Sequence, residues 1–229
     1  MEKKDSENLY RILPFDRAVE ILKGSLYFSH PSTWDDPFET IVDHDKAHAM
    51  FAQCWCMNGV SDAMWRIYSP NNLGVRIRTT RTKLKEAMNS AGAKGYKKRI
   101  KEVEYTTSAS LKDRAKDIAA QLQKKFDPSK AADLFFMKRS AFEHEQEVRA
   151  LLYCEDAPAN EPKRGWSIKI DGHALVQSIL LDPRVPSHFG SAMKLYLRRT
   201  IGFKGPVQTS VLYTKPPVFD GRVPEEDLL

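Results

Sequence analysis

Apolar and polar positions in the first thirty residues predict two strands with a helix between them. Residues 8–13 and Ser25–Ser29 are short apolar or aromatic runs typical of strands. Between them, apolar side chains recur at helical spacing from Phe15 to Leu22, and Gly24 supplies a helix-end signal. The proline-rich and aspartate-rich residues that follow indicate a loop.

The remaining pattern continues this mixture of strands and helices. Further strands are predicted over residues 50–57, 75–78, 148–154, 166–170, 174–181 and 207–213. Helical segments are predicted over residues 43–48, over residues 62–68 with Ser61 as the cap, and over residues 189–201. No strand–helix–strand rhythm repeats, so we expect an α+β fold of mixed or antiparallel sheets with flanking helices. We expect a single domain over residues 1–215 and a disordered C-terminal tail over residues 216–229.

The segment from residue 79 to 130 is rich in lysine and arginine. It contains an amphipathic helix whose apolar stripe consists of Leu111, Ala115, Ile118 and Leu122. Its other face is basic and carries Lys112, Arg114, Lys116 and Lys124. A solvated helix face explains these charges without a ligand.

Composition narrows the class of protein. The 229 residues carry 36 basic and 30 acidic side chains, a net charge of +6, which permits an anionic partner without requiring one. The mean hydropathy of -0.50 and the lack of a long apolar run exclude a membrane span. The first residues lead into no apolar signal segment, and three cysteines cannot form a disulfide framework. We therefore expect a cytoplasmic protein without a membrane partner.

Several common sequence signatures are missing from the chain. It has no Gly-x-Gly-x-x-Gly after a strand, no Walker loop, no Cys-x-x-Cys pair and no Gly-x-Ser-x-Gly elbow. These absences argue against a Rossmann dehydrogenase, a P-loop NTPase, a zinc ribbon and an α/β-hydrolase.

The most informative cluster is the charged sequence from Glu143 to Arg149. If the strand that follows begins by Glu145, the period of two places Glu145, Glu147 and Arg149 on one face. Two carboxylates side by side repel each other, which raises one pKa or requires a cation, and such pairs in a cleft suit acid, base or cation-stabilising chemistry. A surface charge cluster in which Arg149 pairs with its neighbours is the alternative.

Three other clusters have plain structural explanations. His44 and His48 are spaced like zinc ligands on a helix, but the glutamate of a His-Glu-x-x-His site is absent, and a partly exposed polar helix is the favoured explanation. Cys54 and Cys56 fit small core residues on one strand face. The sequence from Met64 to Tyr68 places aromatic residues at helical spacing, which core packing or stacking on a ligand ring can explain.

These segments resemble a bacterial and phage family known as domain of unknown function 2971, some of whose members are labelled abortive phage-resistance proteins. The matching pieces are Leu9-Tyr10-Arg11, Gly24 to Ser32, Asp36-Pro37-Phe38-Glu39, Met64-Trp65, Tyr68, Gly74-Val75, Lys138 and Glu145 to Arg149. The sequence departs from the family at Asp35, where asparagine is usual, and at Val148, where an aromatic residue is common.

The order of these pieces is also remotely similar to the layout of ADP-ribosyltransferases. The similarity implies an ADP-ribosyltransferase-like fold and NAD as the substrate. It implies that Glu147 stabilises the oxocarbenium-like transition state and that Glu145 orients or deprotonates an acceptor. It also implies that Arg11 binds the pyrophosphate or the adjacent ribose of NAD.

The same similarity implies a binding site for the nicotinamide side of NAD. Ser29 would hydrogen-bond this part of the ligand, with Tyr27 or Trp65 near the ring and Tyr68 as a further stacking candidate. The aromatic-Ser-Thr-Ser element of the enzymes is only half matched by Phe28-Ser29. No metal is required by this scheme.

We therefore expect an NAD-consuming, ADP-ribosyltransferase-like enzyme, or an NAD glycohydrolase, in anti-phage defence or a toxin-like response. The acceptor would be nucleic acid or protein, and a partner protein of the defence system is a further expectation. Two alternatives stay open. One is a non-catalytic nucleic-acid or protein binding module that uses the basic helices around Lys112 and Lys194. The other is a metal-dependent nuclease that uses Asp35, Asp36 and Glu39 with the histidine pair.

Overall fold

The computed structural model describes residues 7–90, 96–158 and 165–218. Within these ranges lie the strands β1 (Asn8–Pro14), β2 (Ser25–Ser29), β3 (Met50–Cys56), β4 (Gly74–Thr80), β5 (Tyr96–Glu102), β6 (Glu104–Thr106), β7 (Met137–Arg139), β8 (Glu147–Cys154), β9 (Gly165–Lys169), β10 (Ser178–Leu181) and β11 (Val207–Thr209). The helices are α1 (Phe15–Leu22), α2 (Asp62–Tyr68), α3 (Arg81–Ser90), α4 (Ser108–Lys124), α5 (Pro128–Asp133), α6 (Gly172–Leu175) and α7 (Ser187–Arg199). Short 3-10 turns occur at Pro31–Thr33, Pro37–Thr40, Ala47–Ala49, Leu134–Phe136 and Ser140–Glu145.

Side-chain caps explain where several helices begin. The Ser61 hydroxyl accepts a hydrogen bond from the amide of Met64 at the start of α2, which confirms the predicted cap. Thr107 caps α4 in the same way by accepting from the amide of Ser110. The predicted amphipathic helix is confirmed in α4, whose buried stripe consists of Leu111, Ala115 and Leu122.

Nine of the described strands form one sheet. Their order is β11-β10-β4-β1-β3-β2-β9, and β8 and β5 continue the sheet from the other edge of β3. Neighbouring strands are antiparallel except for β10 and β11, which are parallel. The short strands β6 and β7 form a separate parallel pair. A mixed, mainly antiparallel sheet with flanking helices confirms the predicted α+β fold class.

The edge of β3 that faces β1 and β2 is only partly paired. β8 pairs with β3 from Met50 to Cys56 and so occupies the whole of the other edge. On the near edge, β1 pairs only at Tyr10 with Cys56, and β2 pairs only at Ser29 with Ala52. On their other edges, β1 pairs with β4 and β2 pairs with β9. The sheet therefore opens between β1 and β2.

The arm formed by β1, β4 and β10 has two different faces. One face points into the core and is buried at Leu9, Leu13, Val75, Ile77, Ile179 and Leu181. The opposite face stays partly exposed at every position where the three strands are in register. We call it the open face, and it consists of Tyr10, Ile12, Arg76, Arg78, Ser178 and Leu180.

Several predicted elements are shorter than expected. The strand predicted over residues 174–181 is wrong in its first half, because the Asp171 carboxylate accepts from the amide of Ala174 and starts the helical turn α6. The strand predicted over residues 207–213 ends at Thr209, since its only neighbour in the described chain is the short β10. The helical segment predicted over residues 43–48 is replaced by a single 3-10 turn, Ala47–Ala49.

The predicted domain limits are only partly covered by the described residues. Strands of the large sheet extend from Asn8 to Thr209. The domain boundary at residue 215 stays a prediction, and residues 219–229 of the predicted tail lie outside the described residues. Within the described ranges, every helix is too short or too polar to cross a membrane.

Candidate functional site

A cavity of about 410 Å³ lies where the sheet opens between β1 and β2. Its walls come from β1, β3, β8 and α2, together with the loop after β2 and the segment that precedes β8. The sequence predicted seven site residues, and five of them line this cavity: Arg11, Ser29, Tyr68, Glu145 and Glu147. A smaller cavity of about 300 Å³ lies beside it and shares the side chain of Glu39.

Strand register places the charged residues of β8 over the cysteines of β3. Glu147 pairs with Cys56, and Arg149 pairs with Cys54. Side chains of directly opposite residues project from the same face of a sheet, so all four face the cavity. The amide of Glu147 donates a hydrogen bond of 2.8 Å to the Tyr105 hydroxyl, which fixes the start of β8.

The acidic and basic side chains of the cavity form one continuous network. Arg149 is fully buried and donates to Glu147 through Nε at 2.9 Å and through Nη2 at 2.6 Å. The same Nη2 contacts the carboxylate of Glu39. Lys138 donates to Glu145 at 2.6 Å, and its Nζ lies 3.5 Å from Glu147. Because these side chains are buried, a surface charge cluster is the wrong explanation, although Arg149 does pair with its neighbours.

The two glutamates differ in the direction of their pKa shifts. Burial raises the pKa of Glu147, but the charges of Arg149 and Lys138 outweigh burial and lower its pKa below the ordinary value. Burial and the neighbouring charge of Glu147 raise the pKa of Glu145, and the contact with Lys138 only partly offsets them. Glu147 is therefore ionised at neutral pH, and Glu145 is the first of the pair to take up a proton as pH falls.

The backbone before β8 differs from the prediction but still brings the glutamates together. Glu145 ends a 3-10 turn and does not belong to the strand, which begins at Glu147. Between them, Gln146 has a left-handed backbone with φ of +44°. Non-glycine residues adopt this conformation rarely, and it persists only where the surrounding structure enforces it. The turn places Glu145 in contact with Lys138 inside the cavity.

Arg11 is a cation in a row of core residues. By the strand period of two it shares a side of β1 with Leu9 and Leu13, which are both buried. Its guanidinium group makes no hydrogen bond and no ion pair with another described residue. The Cys54 thiol and the Tyr68 hydroxyl, which also line the cavity, are close enough to affect its pKa, but burial lowers that pKa on balance. Arg11 is thus a partly buried positive charge at the cavity without an anionic partner in the described chain.

Ser29 and Trp34 form a connected pair in the cavity wall. The Ser29 hydroxyl donates to the carbonyl of Ala52 at 3.2 Å and accepts from the Trp34 indole at 2.9 Å. The Trp34 ring also lies over the guanidinium group of Arg149 at 4.6 Å. Trp34 was not predicted as a site residue, because a single tryptophan among turn-forming residues has no spacing that marks it.

The aromatic candidates do not all reach the cavity. Tyr68 lines it, and burial together with the nearby glutamates raises the pKa of its hydroxyl, which stays protonated. Trp65 lies on the same helix but is buried and does not line the cavity. Tyr27 also lies outside the cavity lining, and the guanidinium of Arg17 is 5.8 Å from its ring.

Among the described residues, the cysteines carry no charge and the candidate metal ligands form no metal-binding group. Burial raises the pKa of Cys54 to about 12 and that of Cys56 to about 11, so both thiols are neutral at physiological pH. Among the residues that the structure describes, no group of three or more His, Cys, Asp or Glu side chains could hold a metal ion. Of the residues in the nuclease alternative, Asp36 pairs with Arg139, and Glu39 pairs with Arg149.

A family model matches part of the chain. The family is described as "Protein of unknown function (DUF2971)", and its model matches residues 64–150. This segment runs from α2 into β8 and includes both glutamates of the cavity. The match confirms the resemblance to this family that the sequence indicated. No curated protein matches the chain significantly.

Solved structures of DarT from Thermus sp. 2.9 resemble the chain remotely. The complex with carba-NAD+ is 12% identical, covers 90% of this chain and 95% of that chain, and has a TM-score of 0.39. The complex with NAD+ is 12% identical, covers 90% and 96%, and has a TM-score of 0.40. The complex with ADP-ribosylated ssDNA is 10% identical, covers 89% and 93%, and has a TM-score of 0.41.

Proposed function

We propose that the cavity binds NAD as a substrate and that the chain transfers its ADP-ribose group to an acceptor. One observation carries this proposal. Arg11, a cation without an anionic partner among the described residues, and Glu147, a buried and ionised carboxylate, line the same cavity. NAD needs both, because it carries a negatively charged diphosphate and develops positive charge on a ribose carbon when nicotinamide leaves. A cavity of about 410 Å³ is within the usual size range of ligand pockets.

In this proposal, Arg11 binds the diphosphate of NAD. A guanidinium group presents planar N–H donors that match phosphate oxygens, and it keeps its charge even when partly buried. The other arginine of the cavity, Arg149, is already occupied by Glu39 and Glu147. This leaves Arg11 as the arginine of the described cavity lining that is free to bind an anion.

In this proposal, Glu147 stabilises the transition state of the bond-breaking step. The bond between the ribose C1′ and the nicotinamide nitrogen breaks, and its electron pair leaves with nicotinamide. The ribose carbon then carries oxocarbenium character, which a fixed carboxylate stabilises without reorganising at the moment of reaction. Arg149 and Lys138 hold Glu147 in place and keep it ionised.

In this proposal, Glu145 takes the proton that the acceptor loses. The acceptor attacks C1′ through an oxygen or nitrogen atom and must lose a proton. A carboxylate whose pKa is raised toward the working pH is a better proton acceptor than an ordinary glutamate. With water as the acceptor, the same steps give NAD hydrolysis.

The nicotinamide end fits beside Ser29 and Trp34. The Ser29 oxygen accepts one hydrogen bond from Trp34 and has a second lone pair, which can accept from the carboxamide of nicotinamide. The indole of Trp34 and the ring of Tyr68 offer apolar surfaces for stacking in the same cavity. Tyr27 and Trp65, which the sequence also suggested for this end, would act on it indirectly.

The acceptor class and the biological role belong to this proposal as well. The acceptor is nucleic acid or protein. A role in anti-phage defence or a toxin-like response, with a partner protein, rests on the resemblance stated for the sequence, and a cytoplasmic location rests on the composition of the chain.

Binding of NAD can be tested at Arg11. We expect NAD to raise the Tm of the parent protein, because a ligand that binds only the folded state stabilises it. Arg11→Gln removes charged hydrogen bonds worth about 1.5–3 kcal/mol, so the Kd for NAD should rise about 10-fold to 150-fold. Arg17→Gln is the matched control, since Arg17 is exposed and pairs with Glu20.

Titration calorimetry with NAD measures both variants. Equal affinity of the Arg11 and Arg17 variants would show that Arg11 does not hold the diphosphate. No binding of NAD by the parent protein would refute the proposed substrate.

A further inference from the structure

The open face continues from the cavity across the arm formed by β1, β4 and β10. One cross-strand row connects the two: Glu147 pairs with Cys56, Cys56 with Tyr10, and Tyr10 with Arg78. Directly opposite residues share a face, so Glu147 and Arg78 project to the same side of the sheet. At about 4.8 Å per strand, their backbones are about 14 Å apart.

Two arginines of the open face have no anionic partner among the described residues. Arg76 and Arg78 are two residues apart on β4 and therefore project to the same side. Neither makes a hydrogen bond or an ion pair with a described carboxylate. The Nε atoms of both are shielded from solvent and have no hydrogen-bond partner in the described part of the chain. The Nε of the next arginine along the chain, Arg81, is also without a partner among the described residues, but its Nη2 is held by Glu7 and Glu102.

Arg76 is held in position by Tyr10. Its guanidinium carbon lies 4.8 Å from the centre of the Tyr10 ring. The loop after β3 packs on the same ring at Gly59, where an added Cβ would lie 2.7 Å from the ring carbon Cζ. A larger residue at this position would force the Tyr10 ring to shift, so the glycine allows the loop to pack on the ring on which Arg76 rests. The arginine is thus ordered without using its hydrogen-bond donors.

This arrangement is unfavourable without a ligand. A buried N–H group without a partner costs about 1–3 kcal/mol, and two neighbouring cations repel each other. Burial, together with the charge of Arg78, lowers the pKa of Arg76. An anion with several acceptor oxygens would satisfy the unpaired donors and remove the repulsion, and a phosphate group has this chemistry.

We propose that Arg76 and Arg78 bind backbone phosphates of a single-stranded nucleic acid whose base enters the cavity as the acceptor. The acceptor part of this inference rests on the proposed function. The two arginines are about 7 Å apart along the strand, so each can bind its own phosphate. A single strand is required because Glu147 is only 4% exposed at the cavity wall, out of reach of a base inside a duplex.

Salt dependence of oligonucleotide binding tests this site. The probe is a fluorescein-labelled single-stranded oligonucleotide, and its binding is followed by anisotropy at several salt concentrations without NAD. Each phosphate contact contributes about -0.7 to the slope of log K against log salt for a single strand. The double variant Arg76→Gln/Arg78→Gln should therefore have a slope smaller by about 1.4. Between about 50 mM and about 200 mM salt, the parent should lose about sevenfold more affinity than this variant.

Two further variants separate this site from general charge effects. Lys116→Gln/Lys124→Gln removes the same charge from an exposed face of α4 and should keep the parent slope. Arg76→Lys/Arg78→Lys keeps the charge and should also keep the slope while losing part of the affinity. If the α4 variant loses as much slope as the glutamine variant, binding is unspecific and the proposed site is wrong.

The remaining outcomes decide between strand phosphates and the diphosphate of NAD. If the glutamine variant keeps the parent slope but loses the NAD-induced rise in Tm, the pair binds NAD, and the inference is overturned. If neither parent nor variant binds the oligonucleotide, it is also overturned. Because binding is measured without NAD, a failure of NAD cleavage leaves the result of this test intact.

Discussion

Arg149 is the residue on which the charges of the cavity depend. It is fully buried, contacts Glu39 and Glu147, donates to the carbonyl of Phe135, and lies under the ring of Trp34. Removing charges from water is expensive, and a buried ion pair often stabilises a protein no more than an apolar replacement would. Its value here is to fix the position and charge of the glutamate that faces the cavity.

The pH dependence of NAD cleavage should follow Glu145. Its carboxylate must be deprotonated to accept a proton, so kcat should rise as pH rises through its pKa, which lies above the ordinary value of about 4.3. The pKa of Glu147 is lowered, so Glu147 stays ionised over this range and does not limit the rate. Glu145→Gln should lower kcat about 10²-fold to 10⁴-fold and remove the acid limb of the profile.

A profile of kcat against pH for the parent and for Glu145→Gln makes this measurement. An acid limb that persists unchanged in the variant would show that another group accepts the proton.

The sequence predicts single charged residues well where they break a pattern. Glu145 and Glu147 stand out beside an apolar strand, and both lie in the cavity. Trp34 and Glu39 belong to a loop without periodicity, so only the folded chain shows that their side chains contact Arg149. Trp65 matches the helical spacing of a stacking residue, but the same spacing is produced by the core contact that it makes.

At the scale of elements, the opening between β1 and β2 creates the cavity. No local sequence signal predicts it, because the opening results from the pairing of both strands with one edge of β3. Strand β5 was also not predicted. It pairs only with β8 among the described strands, and its lysines fit an edge strand while hiding the alternation of apolar and polar residues.

Close packing of α6 against α1 gives a prediction at this scale. A Cβ at Gly172 would run into the backbone carbonyl of Ile21, so Gly172→Ala must separate the two elements. We expect a loss of about 1–3 kcal/mol in the free energy of unfolding. Gly190→Ala in α7 is the matched control, since its nearest atom is a flexible Val185 methyl at 3.3 Å and a helix gains about 1 kcal/mol from alanine.

Urea denaturation of both variants provides the free energies of unfolding. Equal stability of the two variants would indicate that α1 and α6 can move apart without loss, and that the packing of this corner is loose.

At the scale of the whole molecule, which has a net charge of +6, the arginines differ in whether a carboxylate neutralises them. Arg149, which is fully buried, and Arg184, which is half-buried, are paired with carboxylates. Arg11 in the cavity and the pair Arg76 and Arg78 on the open face are without such partners within the described ranges. Arg11 projects from the core side of β1 and lines the cavity, where we propose that NAD binds, whereas Arg76 and Arg78 project from the opposite, open face, where we propose that the nucleic acid binds.

The most direct test of the account is release of nicotinamide from NAD by the purified protein and by Glu147→Gln. The parent should release nicotinamide, and the variant should lose about 10²-fold to 10³-fold in kcat, because it lacks the charge that stabilises the transition state. Glu143→Gln, an exposed neighbour outside the cavity lining, should match the parent. Release by Glu147→Gln at the parent rate, or no release by the parent with or without nucleic acid, would contradict the account and favour a non-catalytic binding module.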